Sequence, residues 1–121
     1  PTKNRPQTLF PVLRNIIDNI NGNFEVVVQD NSDEITELPS DLLASGKIKY
    51  FYIPEHIPVS DNTELALTNA NGKYLLFIGD DDFVSPKIMD AISIMEENSI
   101  DNMTYNAGYY WWDSVEFNKT N

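Results

Sequence analysis

The sequence predicts an α/β fold, a doubly wound, mostly parallel sheet with helices on both faces. Three observations carry that expectation. Apolar stretches of strand character alternate with stretches of helical periodicity, the pattern of a layered α/β domain. The run Val26-Val27-Val28 is apolar on both sides of the pleat, as in a strand covered on both faces. The segments between the strands are long enough for the crossovers that parallel neighbours require.

Taken in order, Leu9, Val12, Leu13, Ile16, Ile17 and Ile20 recur at three- and four-residue spacing and define one helix face. Asn4 is the expected cap and Pro6 suits the first turn. Pro11 must lie near the start or kink the helix, and Asn21-Gly22-Asn23 stops it. Residues 24–29 form the first expected strand, closed by the polar loop Asp30 to Glu34. A short helix is expected over 41–44, with Ser40 as cap and Gly46 as stop. Residues 48–53 alternate like a strand nearer an edge. Asp61 and Glu64 have capping-box spacing ahead of a helix carrying Leu65, Leu67 and Ala70, ended by Gly72. Residues 74–78 are the most apolar expected strand and run straight into Gly79-Asp80-Asp81-Asp82. Ser85-Pro86 starts a helix whose buried stripe is Ile88, Met89, Ile92 and Met95, and a final strand is expected over 103–112.

The 121 residues, 41% apolar and 22% charged, suit one globular domain over 1–121. Pro1 opens on a loop with no element before it, and a polar stretch follows the aromatic run at Tyr109 to Trp112. The domain is therefore expected to be truncated at both ends, with 113–121 a tail or the start of further structure. A net charge of −11 argues against a nucleic-acid partner or an anionic-membrane patch, which need clustered Lys and Arg. With no cysteine and a single histidine, His56, thiolate sites and sites of several imidazoles are excluded. No transmembrane segment is expected, because no apolar run approaches the roughly 18 residues of a span. The expected location is cytoplasmic, with any membrane association in parts beyond these residues.

Open parallel sheets bind ligands beyond the carboxyl ends of their strands. Three polar clusters should meet on that edge: Pro1 to Asn4, Asp30 to Asp33, and Asp80 to Asp82. Three adjacent carboxylates after a buried strand repel one another. Carboxylate oxygens are ligands of Mg²⁺ and Mn²⁺, which take one or two of them together with substrate phosphates. The structural alternative is a solvated acidic loop leading into a helix. For Asp30, a ligand N–H acceptor stands against an Asx turn closing the strand with Asn31 and Ser32. His56 reads as a surface residue, and Tyr109 to Trp112 as packing or interface rather than a sugar platform.

These residues together resemble the family 2 glycosyltransferases. The resemblance rests on Pro1-Thr2-Lys3-Asn4-Arg5-Pro6, on Val28-Gln29-Asp30-Asn31-Ser32, and on Asn71-Gly72-Lys73-Tyr74 leading into Phe77-Ile78-Gly79-Asp80-Asp81-Asp82 and Pro86. It runs from Pro1 to about Met95. It implies an incomplete, Rossmann-like GT-A fold and an inverting enzyme, often one making bacterial surface polysaccharide. The implied donor is a nucleotide-diphosphate sugar, a UDP-sugar first, and the acceptor a saccharide or lipid-linked molecule. By resemblance, Pro1, Thr2 and Asn4 lie beside the nucleobase and Asp30 accepts uracil N3–H. Asp80 contacts the ribose, while Asp81 and Asp82 hold Mn²⁺ or Mg²⁺. Gly79 stands where the family's D-x-D-D segment has its first Asp, and an alternative takes Asp80 and Asp82 as the D-x-D pair. The segment Ser60 to Glu64 matches the family's Arg/Asn-rich stretch poorly.

The catalytic base is expected downstream, so no catalytic residue is assigned and the chain is expected to bind donor without turnover. Asp113 and Glu116 are discounted as the base because they lie close to the triplet in sequence; transfer by residues 1–121 alone would point back to one of them. Two alternatives remain: a sugar nucleotidyltransferase, which would want a glycine-rich phosphate loop near the first strand, and a non-catalytic, receiver-like Mg²⁺-binding module.

Overall fold

The computed structural model describes residues 1–104 and the backbone of residues 111–113 and 116–118. The elements are α1 (Pro6–Asn19), β1 (Val26–Asp30), α2 (Ser40–Ala44), β2 (Ile48–Tyr52), α3 (Val59–Asn69), α4 (Ile88–Asn98), β3 (Trp111–Asp113) and β4 (Glu116–Asn118). β1 and β2 pair in parallel, in register from Val26↔Ile48 to Asp30↔Tyr52. β3 and β4 pair antiparallel, so the stretch 113–121 contains a strand. The expected strand over 103–112 lies mostly outside the described residues, as do the side chains of Tyr109 to Trp112.

The sheet is covered on both faces, and β1 shows how. Val28 faces α1 and packs with Leu9, Leu13 and Leu42. The next residue, Gln29, points the opposite way, and its Oε1 accepts a bond from Asn69 of α3 at 3.0 Å. Period-two alternation thus hands one face to α1 and the other to α3. Helix α1 carries a second cluster on its flank, where Val12, Ile16 and Ile20 pack with Val84, Ile78, Ile88 and Met89. Leu13, 1% exposed, is the most deeply buried apolar side chain among the described residues. Gly22 ends α1's descent at φ 141°, and a Cβ there would fall 2.6 Å from Met89 Cε.

Several boundaries differ from expectation. Asn4 does not cap α1. Its φ is 55°, and Arg5 takes the cap position with no side-chain bond. Pro6 does occupy the first turn, while Pro11 sits inside the helix. α3 starts at Val59 behind Pro58, ahead of the expected Asp61–Glu64 box, with no side-chain cap. α4 starts at Ile88, because 85–87 form a turn in which Ile88 N–H bonds the Ser85 carbonyl at 3.0 Å.

The larger correction concerns 74–78, which is not a strand. Leu75, Leu76 and Phe77 are 58%, 46% and 55% exposed. A strand needs a neighbouring backbone, and this segment has none in a ladder with it among the described residues. Residues 74–78 and β1's Val26 and Val27 instead line one cavity of about 650 Å³, whose wall also includes Pro1, Ala66 and Ile92.

Candidate functional site

The carboxyl end of β1 is where the opening segment enters the fold. Thr2 N–H donates to the Gln29 carbonyl at 2.9 Å, and Asn31 N–H donates to the Thr2 carbonyl at 3.0 Å. Thr2 thereby forms a parallel bridge with Asp30. The Thr2 hydroxyl then donates to Asp80 Oδ2 at 2.6 Å. Three stretches far apart in sequence, Pro1 to Asn4, Asp30 to Asp33 and Asp80 to Asp82, are joined through this one buried threonine.

The left-handed turn at Asn4 has a visible purpose. Its backbone N–H donates to Ser32 Oγ at 2.7 Å. Its side chain accepts from Asp33 N–H at 3.0 Å and donates to Asp33 Oδ2 at 2.9 Å. Asn tolerates this conformation better than most residues, and here it clips the opening segment to the loop after β1. Pro1 lines the apolar cavity described above. Asn31 ties the same loop to residues beyond β2, donating to the Ile53 carbonyl at 2.9 Å. His56 is 77% exposed at the side chain, with Nδ1 3.1 Å from Lys3 Nζ.

Asp30 is wholly buried. Oδ1 accepts from Ser32 N–H at 2.8 Å and from the Ser32 hydroxyl, closing an Asx turn. Oδ2 accepts from the Tyr50 hydroxyl at 2.6 Å. Burial pushes the Asp30 carboxyl up, but hydrogen bonds from Ser32, Thr36 and Tyr50 outweigh it and hold the group below the usual aspartate range. Burial, then the Asp30 carboxylate, push the Tyr50 phenol up to about 12. The pair is thus an ionised carboxylate held by a phenol that keeps its proton. With Ser32 bonding it twice and Tyr50 and Thr36 once each, the four acceptor sites of the carboxylate are matched by four donors.

The acidic triplet divides into two parts. Asp80 is 8% exposed and takes Thr2 on one oxygen and Arg5 Nη1 on the other, at 2.8 Å. Asp81 is 44% exposed at the side chain and accepts from Arg5 Nη2 at 2.6 Å through Oδ2. Asp82 folds back, and its Oδ2 accepts Gly79 N–H at 2.9 Å. A Cβ on Gly79 would lie 2.8 Å from Asp81 Oδ1 and 3.1 Å from Asp82 Oδ2. The two carboxylates therefore converge over the bare glycine, at the position where the family motif carries an Asp. Among the described residues no group of three His, Cys, Asp or Glu side chains is arranged around one metal position. Two carboxylates are fewer oxygens than the roughly six a hard cation takes, so any cation held there would need the rest from a ligand or water.

Three residues near the site carried no assignment from sequence. Arg5 pairs with both Asp80 and Asp81; the hydrogen bond to Asp81, then the charge of Asp80, raise its already high pKa. Tyr50 is the partner of Asp30. Asn62 of α3, 4% exposed, donates to the Gln29 carbonyl at 3.2 Å, while its Oδ1 has no partner among the described residues. Asn62 lies in the segment that matched the family poorly, yet it packs under Thr2.

An α/β domain whose parallel pair ends at a buried acid beside a carboxylate cluster has the layout of the doubly wound class, in which ligands bind beyond the carboxyl ends of the strands. The chain matches Glycosyl transferase family 2 over residues 1–121 and belongs to that family. It is 31% identical over 102 residues to an uncharacterized glycosyltransferase of Rickettsia conorii, covering 82% of this chain and 17% of that protein. The same figures hold for an uncharacterized glycosyltransferase of Rickettsia felis. The chain thus spans about a sixth of the length of these curated relatives, 17%. No solved structure matches. Membership sets aside the nucleotidyltransferase and receiver-like alternatives. Among the described residues, no helix is long and apolar enough to cross a membrane.

Proposed function

We propose that this domain binds the nucleotide-diphosphate sugar, a UDP-sugar first, for an inverting glycosyl transfer assisted by Mn²⁺ or Mg²⁺. The carrying observation is the Thr2 junction, which joins the base-side acid Asp30 and the triplet Asp80–Asp82 on one edge. Asp81 and Asp82 are the metal pair in this reading, because their oxygens converge over Gly79 while Asp80 is buried and bonded by Thr2 and Arg5. That burial favours Asp80 as a positioned ribose contact over the Asp80/Asp82 alternative. In this reading uracil N3–H takes the place of one of the present donors to Asp30, which requires the loop after β1 to open because Asp30 is wholly buried, and Pro1, Thr2 and Asn4 form the wall beside the base.

When bound, the cation neutralises charge on the diphosphate leaving group. The chain's own part is to hold the base, ribose and metal in register. In the transfer an acceptor hydroxyl oxygen bonds the anomeric carbon, the bond to the diphosphate oxygen breaks, and the hydroxyl proton passes to a base. We assign no base among the described residues, and we propose that residues 1–121 alone bind without transferring. The acceptor, saccharide or lipid-linked, and a role in bacterial surface polysaccharide synthesis belong to the same proposal, as does a cytoplasmic location with membrane association supplied elsewhere.

Calorimetry with UDP, with and without Mn²⁺, tests the role assignment. Asp81→Asn should abolish the Mn²⁺-dependent gain in UDP affinity. Asp30→Ala should weaken UDP binding even with metal absent. Equal loss of metal binding in both variants, with uridine affinity untouched, would contradict the assignment.

A further inference from the structure

Arg5 occupies a position that the proposed function leaves unused. Its guanidinium reaches across two carboxylates, 2.8 Å from Asp80 Oδ1 and 2.6 Å from Asp81 Oδ2. Its backbone is fixed, since its carbonyl accepts Leu9 N–H at 3.0 Å and Thr8 N–H at 3.2 Å as α1 begins. Its side chain is 44% exposed, so the guanidinium pairs with the two carboxylates at the solvent boundary. Asp80 has a second donor besides Arg5, the Thr2 hydroxyl on its other oxygen. Asp81 shows two faces, Oδ2 toward Arg5 and Oδ1 toward the Gly79 cradle it shares with Asp82.

We infer that Arg5 is the resident counter-cation of the donor site, antagonistic to a divalent ion alone and cooperative with it once a nucleoside diphosphate is bound. The inference rests on the metal reading of Asp81 and Asp82. A guanidinium and a divalent ion sharing Asp81 repel each other, and each weakens the other's hold on the carboxylate. A diphosphate reverses the sign. It brings negative charge between them, and the planar guanidinium fork pairs with phosphate oxygens as readily as with carboxylates. α1 begins at Pro6 with no side-chain bond capping its first turn, so the same place also favours an anion. Nucleotide and metal affinities are therefore coupled through one side chain, and by linkage each raises the other by the same factor.

The test measures free Mn²⁺ by electron paramagnetic resonance during titration of the full chain, with and without UDP. Arg5→Ala should bind Mn²⁺ alone about fivefold more tightly than wild type. It should bind UDP in the presence of Mn²⁺ about tenfold more weakly, so that most of the coupling disappears. Arg5→Lys keeps the charge without the fork. It should leave Mn²⁺ binding alone near wild type and still weaken UDP, which decides the matter should the alanine variant fail to fold. Unchanged coupling in Arg5→Ala, or equal weakening of Mn²⁺ and UDP, would overturn the inference while leaving the metal site standing. Wild-type protein that binds UDP without any response to Mn²⁺ would remove the metal reading, and this inference with it.

Discussion

Replacing Tyr50 with Phe removes one hydroxyl and leaves the ring where it is. That hydroxyl donates to Asp30 Oδ2 at 2.6 Å and accepts Thr36 N–H at 3.0 Å. Asp30 is 0% exposed, so water cannot replace the lost donor without opening the loop. A hydrogen bond to a charged group contributes about 1.5–3 kcal/mol, and the stranded Thr36 amide adds up to about 1 kcal/mol. Tyr50→Phe should therefore cost about 2–4 kcal/mol at pH 7. At roughly 3–5 °C per kcal/mol for a chain this size, Tm should fall by about 10 °C. The sign of the pH dependence follows from Asp30, whose folded pKa lies below its unfolded value of 3.8. Its contribution is complete above about pH 4 and is lost as pH drops through the folded pKa. The variant's deficit should accordingly shrink on acidification. Urea denaturation followed by circular dichroism at pH 7 and at the lowest pH where both proteins fold gives the comparison. A deficit below about 0.5 kcal/mol at pH 7, or one independent of pH, would refute the account of Asp30 as a buried, phenol-held carboxylate.

Other consequences concern the same edge. Tyr50, pushed up from 10.0 to about 12, stabilises the fold fully below pH 10, and that stabilisation should fade as pH rises toward 12; phenolate absorbance should show one tyrosine ionising with the unfolding step rather than before it. Thr2→Val should cost about 1–3 kcal/mol in urea denaturation, because buried Asp80 loses its 2.6 Å donor. Gly79→Ala should leave stability within about 1 kcal/mol, since the groups it meets are side-chain ends. It should nevertheless weaken Mn²⁺-dependent UDP binding about tenfold in calorimetry, because its Cβ would stand 2.8 Å from Asp81 Oδ1.

Local patterns carried much of this fold into the sequence. The spacing of Leu9, Val12, Leu13 and Ile16 defined the buried face of α1, and the three valines of β1 marked a strand between two helical layers. What local pattern misread depends on neighbours. Residues 74–78 have the composition of a buried strand, but composition does not supply the adjacent backbone that makes one. The expected caps at Asn4 and Asp61 failed for a related reason. Asn4 spends its side chain on Asp33, and Asp61 lies inside α3, which already starts at Val59, so neither caps its helix. At the site, the place of Asp30 was legible because a parallel strand delivers its end to the sheet edge, whereas Asp80 to Asp82 follow a segment that is not a strand. Their linkage through Thr2 was not legible, because it depends on a bridge fixed by tertiary packing. Tyr50 was invisible as Asp30's partner until the register Val28↔Tyr50 set it within reach across the pair. Arg5 did leave a signal, as a cation inside the opening motif of a chain with net charge −11.

The central claim is that one edge of the sheet holds a nucleoside diphosphate through a divalent ion, and a crystal of this chain grown with UDP and Mn²⁺ tests it directly. Anomalous scattering locates manganese without reference to any assumed chemistry. A single strong peak is expected at bonding distance from Asp81 and Asp82, over Gly79, with diphosphate oxygens completing the shell and the uracil beside Asp30. Manganese elsewhere on the surface, or UDP bound away from Thr2 and the acidic triplet, would contradict it.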